Sequence, residues 1–312
     1  MRALVTGGAG FIGSTIVDAL LAAGHQVRVF DDLCTGFRDN VSSEADLVIG
    51  GVADHDAVRA AMDGIEVVFH QAAHRAVQRS VVDPVATDLA NTHGTVTVLK
   101  AAADAGVRRM VYASSSSVYG NATDRPTAET ARPQPRSPYA VSKLAGELYC
   151  RSFAELFDIE TVSLRYFNVY GPRQRPDSAY AAVIPLFIDA VRGGERPIVH
   201  GDGQQTRSFT YVGDVARANL LAAEAPAQAA AGSVYNIAGD QPYSILDILD
   251  VVKASLGSDL DPVHTDPRAG DVRHTWGDPS AAAANLGFTT EVALPDGMAR
   301  TVEWFMRRSA AG

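Results

Sequence analysis

Cysteine is nearly absent: Cys34 and Cys150 are the two in a chain of 312 residues. Neither sits at metal-ligand spacing, so no metal site is expected. The scarcity suits a reducing compartment, with both thiols read as small buried hydrophobes. An excess of positive charge is also missing. Lys and Arg number 27 against 36 Asp and Glu, a net charge of -9, with pI near 5.3. That balance argues against a nucleic-acid surface. No apolar run reaches membrane-spanning length. No secretory leader is read either, because Met1–Gly13 runs directly into a strand and a glycine turn. The expectation is a soluble, cytoplasmic protein without an internal repeat or a disordered tail. What is present, 46% hydrophobic and 20% charged residues, can bury a full core in one large domain or two intimate ones.

The first half alternates short β-rich runs with helical patterns. Arg2–Thr6, Gln26–Phe30, Asp46–Ile49, Glu66–His70 and Arg109–Ala113 read as buried parallel strands, and Thr161–Arg165 as another. Phe11–Ala23, Ala57–Met62 and Pro84–Ala105 read as the intervening helices. Strand and helix in turn imply βαβ units, hence an α/β, Rossmann-type doubly wound parallel sheet. A further helix opens at "SPYAVSK", with Ser137 as N-cap and Pro138 at the first helical position. After Tyr166 the texture changes to Pro-, Gly- and Arg-rich loops, and Ala222–Gly232 is Ala-rich, read as a helix end and surface loop. Residues 1–165 are therefore expected to form a nucleotide-binding domain to which the chain returns around 211–236. Residues 166–312 would be mainly a smaller α/β substrate lobe.

Directly after the first strand comes "TGGAGFIGS", with Gly7, Gly10 and Gly13 in G-x-x-G-x-x-G spacing, followed by Phe11 and Ile12. Glycines there permit a tight turn and a close backbone approach to a pyrophosphate. The following helix N-terminus supplies amide donors and the positive end of its dipole. The second strand ends in Asp31 and Asp32. A carboxylate about 20 residues past the turn accepts from ribose hydroxyls and repels a 2′-phosphate, so NAD is expected over NADP. The plainer alternative is a solvated acidic turn.

Tyr139 and Lys143 stand four apart in "YAVSK", on one helix face. A phenol titrates near pH 10, and a neighbouring cation brings it toward the range of a general base. Y-x-x-x-K alone is common. It gains meaning beside the glycine turn and the serine run of "YASSSSVYG", Ser114–Ser117, which follows the fifth strand.

These segments, with "VFHQAA", "NTHGT", "RYFNVYGPRQ", "GDGQQTRSFTYVGDVA" and "RAGDVRHTWGD", resemble the extended short-chain dehydrogenase/reductases over essentially the whole chain. Within them the chain resembles the NAD-dependent nucleotide-sugar 4-epimerases, isomerases of carbohydrate metabolism. The resemblance implies Tyr139 as the base at the sugar 4-hydroxyl, Lys143 as its modulator and a ligand of the nicotinamide ribose, and Ser115 as a proton relay. A 4-keto sugar would turn its other face and be reduced with inversion. Val52, Asn91 and Tyr166 resemble cofactor-lining positions. Ser116, Ser117 and Asn168 resemble sugar contacts, Asn168, Arg207 and Arg268 contacts to UDP, and Asp271 a contact to its ribose. Arginine suits a diphosphate because its planar fork makes two charge-assisted bonds. Gly51 stands where relatives often have an adenine-facing Asp, Arg75 where some have a cofactor-contacting Lys, and Ser208 in place of the Asp of "TRDF".

The serine run contains no carboxylate, unlike the corresponding segments of sugar 4,6-dehydratases and UDP-glucuronate decarboxylases, so epimerisation remains. Arg175 falls where UDP-glucuronate 4-epimerases resemble it with an arginine for the substrate carboxylate. Thr275 is small where bulk would exclude an N-acetyl group. The substrate order expected is UDP-glucuronate, then UDP-glucose, then UDP-N-acetylglucosamine. A solvated loop role for Arg175, a catalytically silent NAD sensor or scaffold, and a plain sugar reductase stay open as alternatives. A homodimer through the helices around Pro84–Ala105 and Tyr139–Leu156 is implied by the resemblance, with no nucleic-acid or membrane partner.

Overall fold

The computed structural model describes residues 1–176, 182–267 and 272–310. Its main sheet is built from β1 (Arg2–Thr6), β2 (Gln26–Asp31), β3 (Asp46–Ile49), β4 (Val67–His70), β5 (Arg109–Ser115), β6 (Glu160–Tyr166) and the strand Ser233–Ile237. All seven run parallel, in the order β3, β2, β1, β4, β5, β6, Ser233–Ile237. The order reverses direction between β1 and β4, the crevice at which doubly wound sheets bind ligands. The central strands are buried along most of their length because helices cover both faces.

One face packs α1 (Phe11–Ala22) and the helix Val212–Glu224, with Ile16, Leu20, Val215 and Ala222 in its core. On the other face lie α2 (His55–Ala61), α3 (Val77–Val82), α4 (Pro84–Asp88), α5 (Gly94–Asp104) and α6 (Pro138–Leu156). There Val58, Val98, Met110, Tyr112 and Phe153 meet. The start of α6 is as the sequence implies: the Ser137 hydroxyl accepts from Ala140 N at 3.1 Å, with Pro138 next. A separate core, including Phe187, Ile248, Met298 and Phe305, joins the helices Val183–Arg192, Ile245–Leu256 and Leu294–Ala310. A three-stranded sheet of Pro242–Ser244, Thr206–Ser208 and His274–Thr275 accompanies it.

The expected single helix over 84–105 is instead α4, a π-helical turn at Leu89–His93, and α5. The widened turn holds buried Asn91, whose side chain is drawn out to partners beyond the helix, the usual setting of a π-bulge. The Ala-rich stretch includes an additional short helix, Ala227–Ala230, and leads into the last sheet strand, which alternation alone did not reveal. Among the described residues no helix is long and apolar enough to cross a membrane.

Candidate active site

The glycine turn has no room for side chains. Gly7 adopts φ +68°, and a Cβ there would lie 2.7 Å from Ala72 N; at Gly13 it would lie 2.1 Å from Gly7 O. The start of α1 is thereby pressed onto the end of β1. Gly10, its N-cap, offers no side chain to the first-turn amides, so these donors face the cleft as a phosphate would require. Asp31 closes the rim. Its Oδ2 accepts from Ala9 N at 2.9 Å and its Oδ1 from Leu33 N at 2.8 Å. Burial raises the Asp31 carboxyl above its usual range, opposed by these two bonds. Asp32 accepts from Cys34 N at 3.0 Å.

One continuous cleft is lined by Gly7, Gly10, Phe11, Ile12, Gly13, Asp31, Asp32, Val52, Tyr139, Lys143 and Tyr166. It runs from Asp31 to the α6 pair. Asn91 lies behind this wall, only 1% exposed. Its Oδ1 accepts from His74 N at 2.7 Å, and its Nδ2 donates to His74 O and Ser142 Oγ. It therefore fixes the lining segment rather than facing the cleft. Tyr166 is held by Asn219 and Gln71 through its hydroxyl.

At the other end the Tyr139 phenol lies beside Ser115. Burial raises its pKa, opposed first by Ser115 and then by the charge of Arg75. The sequence left Arg75 without a role, yet it lines the cleft wall. Lys143 is not among the groups lowering the phenol. Its ammonium donates to Ala113 O at 2.8 Å, and burial lowers it to about 8. Ser115 caps the 3-10 turn Ser116–Tyr119, accepting from Ser117 N at 3.2 Å. The Ser117 hydroxyl is buried with no hydrogen-bond partner.

The substrate candidates divide. Asn168, at φ 33°, donates to Ser208 O at 2.9 Å and Thr275 Oγ1 at 3.2 Å, and Thr275 pairs in register with Arg207. Arg207 donates to the carbonyls of Thr206 and Arg273. Asn168, Arg207 and Thr275 are thus neighbours. The Arg175 guanidinium stands 3.6 Å over the Phe37 ring, and Arg173, two residues before it, pairs with Asp18 of α1 at 2.7 Å. Arg268 and Asp271 lie outside the described residues.

Residues 3–238 match the model of the NAD dependent epimerase/dehydratase family. UDP-glucose 4-epimerase of Mycolicibacterium smegmatis is 39% identical over 316 residues, covering 99% of this chain and 100% of that protein. The crystal structure of Thermotoga maritima UDP-glucose 4-epimerase with UDP-glucose superposes with TM-score 0.95 at 36% identity, covering 99% of this chain and 100% of that one. UDP-N-acetylglucosamine 4-epimerase from Methanobrevibacter ruminantium, solved with UDP-N-acetylmuramic acid, superposes with TM-score 0.94 at 35% identity and 98% coverage of both. With a glycine turn, the Asp31 carboxylate and the Tyr–Lys helix joined in one cleft, the chain belongs to the NAD dependent epimerase/dehydratase family, as an NAD-dependent nucleotide-sugar 4-epimerase and hence an isomerase.

Proposed function

We propose that the protein interconverts the 4-epimers of a UDP-sugar, with UDP-glucuronate as the preferred substrate. The observation that carries epimerisation is the composition of the cleft: among the described lining residues the only carboxylates are Asp31 and Asp32, at the adenosine end. Dehydration would need an acid lining the cleft beside the serines to protonate a leaving hydroxyl. Bound oxidised NAD supplies a reversible two-electron acceptor at the sugar C4. Ser115 orients the 4-hydroxyl and Tyr139 takes its proton. Arg75 supplies positive field at the phenol of the free protein, and on this reading the Lys143 ammonium adds to it in the NAD-loaded enzyme. After the 4-keto sugar turns its other face toward the hydride donor, C4 would regain its hydride on that face while Tyr139 returns the proton to O4. Gly7 and Gly13 hold the pyrophosphate end close to backbone amides, and Asp31 accepts from the adenosine ribose.

Support for the uronate comes from Arg175, seven residues beyond Asn168. The Phe37 ring stacks on its guanidinium. A charged hydrogen bond contributes about 1.5–3 kcal/mol against about 1 for a neutral one, enough to rank a carboxylate over a hydroxymethyl group. UDP-glucose is the second reading, favoured by the naming of the M. smegmatis and T. maritima relatives. Separate incubations with UDP-glucuronate, UDP-glucose and UDP-N-acetylglucosamine, read by NMR for the 4-epimer, decide between them. Arg175→Ala should lower kcat/KM for UDP-glucuronate about tenfold or more while sparing UDP-glucose; equal loss on both sugars defeats the uronate reading.

The same reading includes a homodimer in a soluble, cytoplasmic setting. Val81, Val82 and Val85 on α3 and α4, with Val141 and Leu148 on α6, are between 53% and 77% exposed. Apolar exposure concentrated on adjoining helices marks an interaction face. Light scattering should give twice the chain mass, and Val85→Glu with Leu148→Glu should halve it.

A further inference from the structure

Behind the serine run lies a buried ion pair to which the reaction above assigns no part. Arg165, near the end of β6, donates from Nε to Glu147 Oε1 at 2.9 Å and from Nη2 to Oε2 at 2.7 Å. The two side chains are 5% and 4% exposed. Such a pair is a poor source of stability, since desolvation offsets most of the attraction and well-packed apolar residues often do as well. Its connections point elsewhere. Glu147 stands one helical turn beyond Lys143 on α6 and also accepts from the Ser114 hydroxyl, next to Ser115. Arg165 donates to Tyr119 Oη at 2.7 Å, at the end of the serine turn, and lies 4.7 Å over that ring. Tyr119 donates to Asn236 Oδ1 at 2.7 Å, and Asn236 Nδ2 donates to the carbonyls of Thr127 and Asp278. The pair thus joins β5, β6, α6 and the serine turn to the segment that follows Thr275.

The surroundings of Lys143 single out the same carboxylate. From β4 it faces His70, which burial and Lys143 itself hold neutral with a pKa of about 3. From β5 it faces the Tyr112 ring at 5.1 Å, whose hydroxyl burial raises well above 10. On α6 its neighbours are Tyr139, Glu147 and Cys150, whose thiol burial pushes up to about 12. Arg75 stands on the Tyr139 side, and Arg165 beyond Glu147. Among these groups Glu147 is the one carboxylate, and after Cys150 it opposes the burial that lowers Lys143.

We propose that Glu147, held by Arg165, is a positioning residue for the epimerase reaction, supplying the countercharge that faces Lys143 and, through Ser114, fixing the strand end that carries Ser115. The proposal rests on Tyr139 and Lys143 acting as base and cationic partner. In the NAD-loaded enzyme, where the charges of Lys143 and the oxidised nicotinamide would bring the phenol below the ammonium, deprotonation of Lys143 sets an alkaline limb of kcat and protonation of Tyr139 the acid limb.

In the NAD-loaded enzyme, Glu147→Gln should move the alkaline limb to lower pH by about one unit or more, leaving the acid limb and KM in place. Because a buried Arg165 would then lack its countercharge, the paired variant Glu147→Leu with Arg165→Met removes both charges at similar volume and should show the same shift with a native thermal transition. Glu147→Asp, which keeps the charge, should keep the limb near its original pH. The chain has three lysines, Lys100, Lys143 and Lys253, so side-chain NMR titration can follow Lys143 directly, and its midpoint should fall with the limb. An unmoved limb and an unmoved Lys143 midpoint in the folded variants overturn the proposal. Substantial turnover in Tyr139→Phe would instead overturn the base assignment beneath it.

Discussion

Replacing Asp31 by alanine should produce two separable losses, because the carboxylate holds the glycine turn and, in the function proposed, accepts from the cofactor ribose. Inside the protein, Oδ2 accepts from Ala9 N and Oδ1 from Leu33 N. Ala9 is fully buried, so its amide would have no water to replace the lost acceptor. An unsatisfied buried donor costs about 1–3 kcal/mol. Part of this is returned, because burial raises the Asp31 carboxyl above its ordinary range and its charged form is therefore held at some expense. The net destabilisation expected is toward the lower end, about 1–2 kcal/mol. Toward the ligand, each bond from a ribose hydroxyl to a carboxylate is worth about 1.5–3 kcal/mol, or about 10- to 150-fold in NAD affinity. Asp31→Asn keeps an acceptor but removes the charge, so it should cost less stability and raise the affinity for NADP relative to NAD. Calorimetric titration with both dinucleotides and thermal unfolding of the free protein measure the two effects independently. Unchanged NAD affinity in Asp31→Ala would refute the ribose assignment, and an unchanged melting temperature would refute the structural one.

Two further expectations concern the helix and the strand on either side of Lys143. A Cβ at Gly146 would fall 2.1 Å from Tyr112 Oη, so Gly146→Ala must lift α6 from β5 and displace Tyr139 and Lys143; kcat should fall by about 10²-fold, and a wild-type kcat would show that the helix seat does not set the geometry. His70, fully buried between Thr6 and Thr95, keeps a pKa near 3 when folded, against 6.5 ordinarily. The unfolded chain takes up that proton first, so stability should fall as pH drops from about 6.5 toward 3, by up to about 1.4 kcal/mol per unit. Urea unfolding across this range should show a shallower slope for His70→Gln, and an identical slope would refute the assignment.

Much of the nucleotide half was legible in the chain because each signal is local. Strands buried on both faces read as short apolar runs, and a Cβ-free turn must be written in glycine. Ser137 and Pro138 announce the start of α6 by capping chemistry alone. The interruption of the long helix at Leu89–His93 was not legible, since its cause is a side chain bonding to His74 and Ser142, far away in sequence. The strand Ser233–Ile237 was also missed, being short and preceded by alanines that favour helix.

The residue types at the site, and hence the class of chemistry, were determined by sequence: Gly7, Gly13, Asp31, Ser115, Tyr139 and Lys143 are recognisable by kind and spacing. Their electrostatics were not, because burial and facing charges belong to the packed protein. Folding turned the Lys143 ammonium onto Ala113 O, placed Arg75 beside the phenol, and set Asn91 behind the cleft wall instead of on it. It also brought Arg165 of β6 onto Glu147 of α6. Spacing along one helix or turn fixes which groups share a face, but only the closing of β4, β5, β6 and α6 around Lys143 sets how long it keeps its proton.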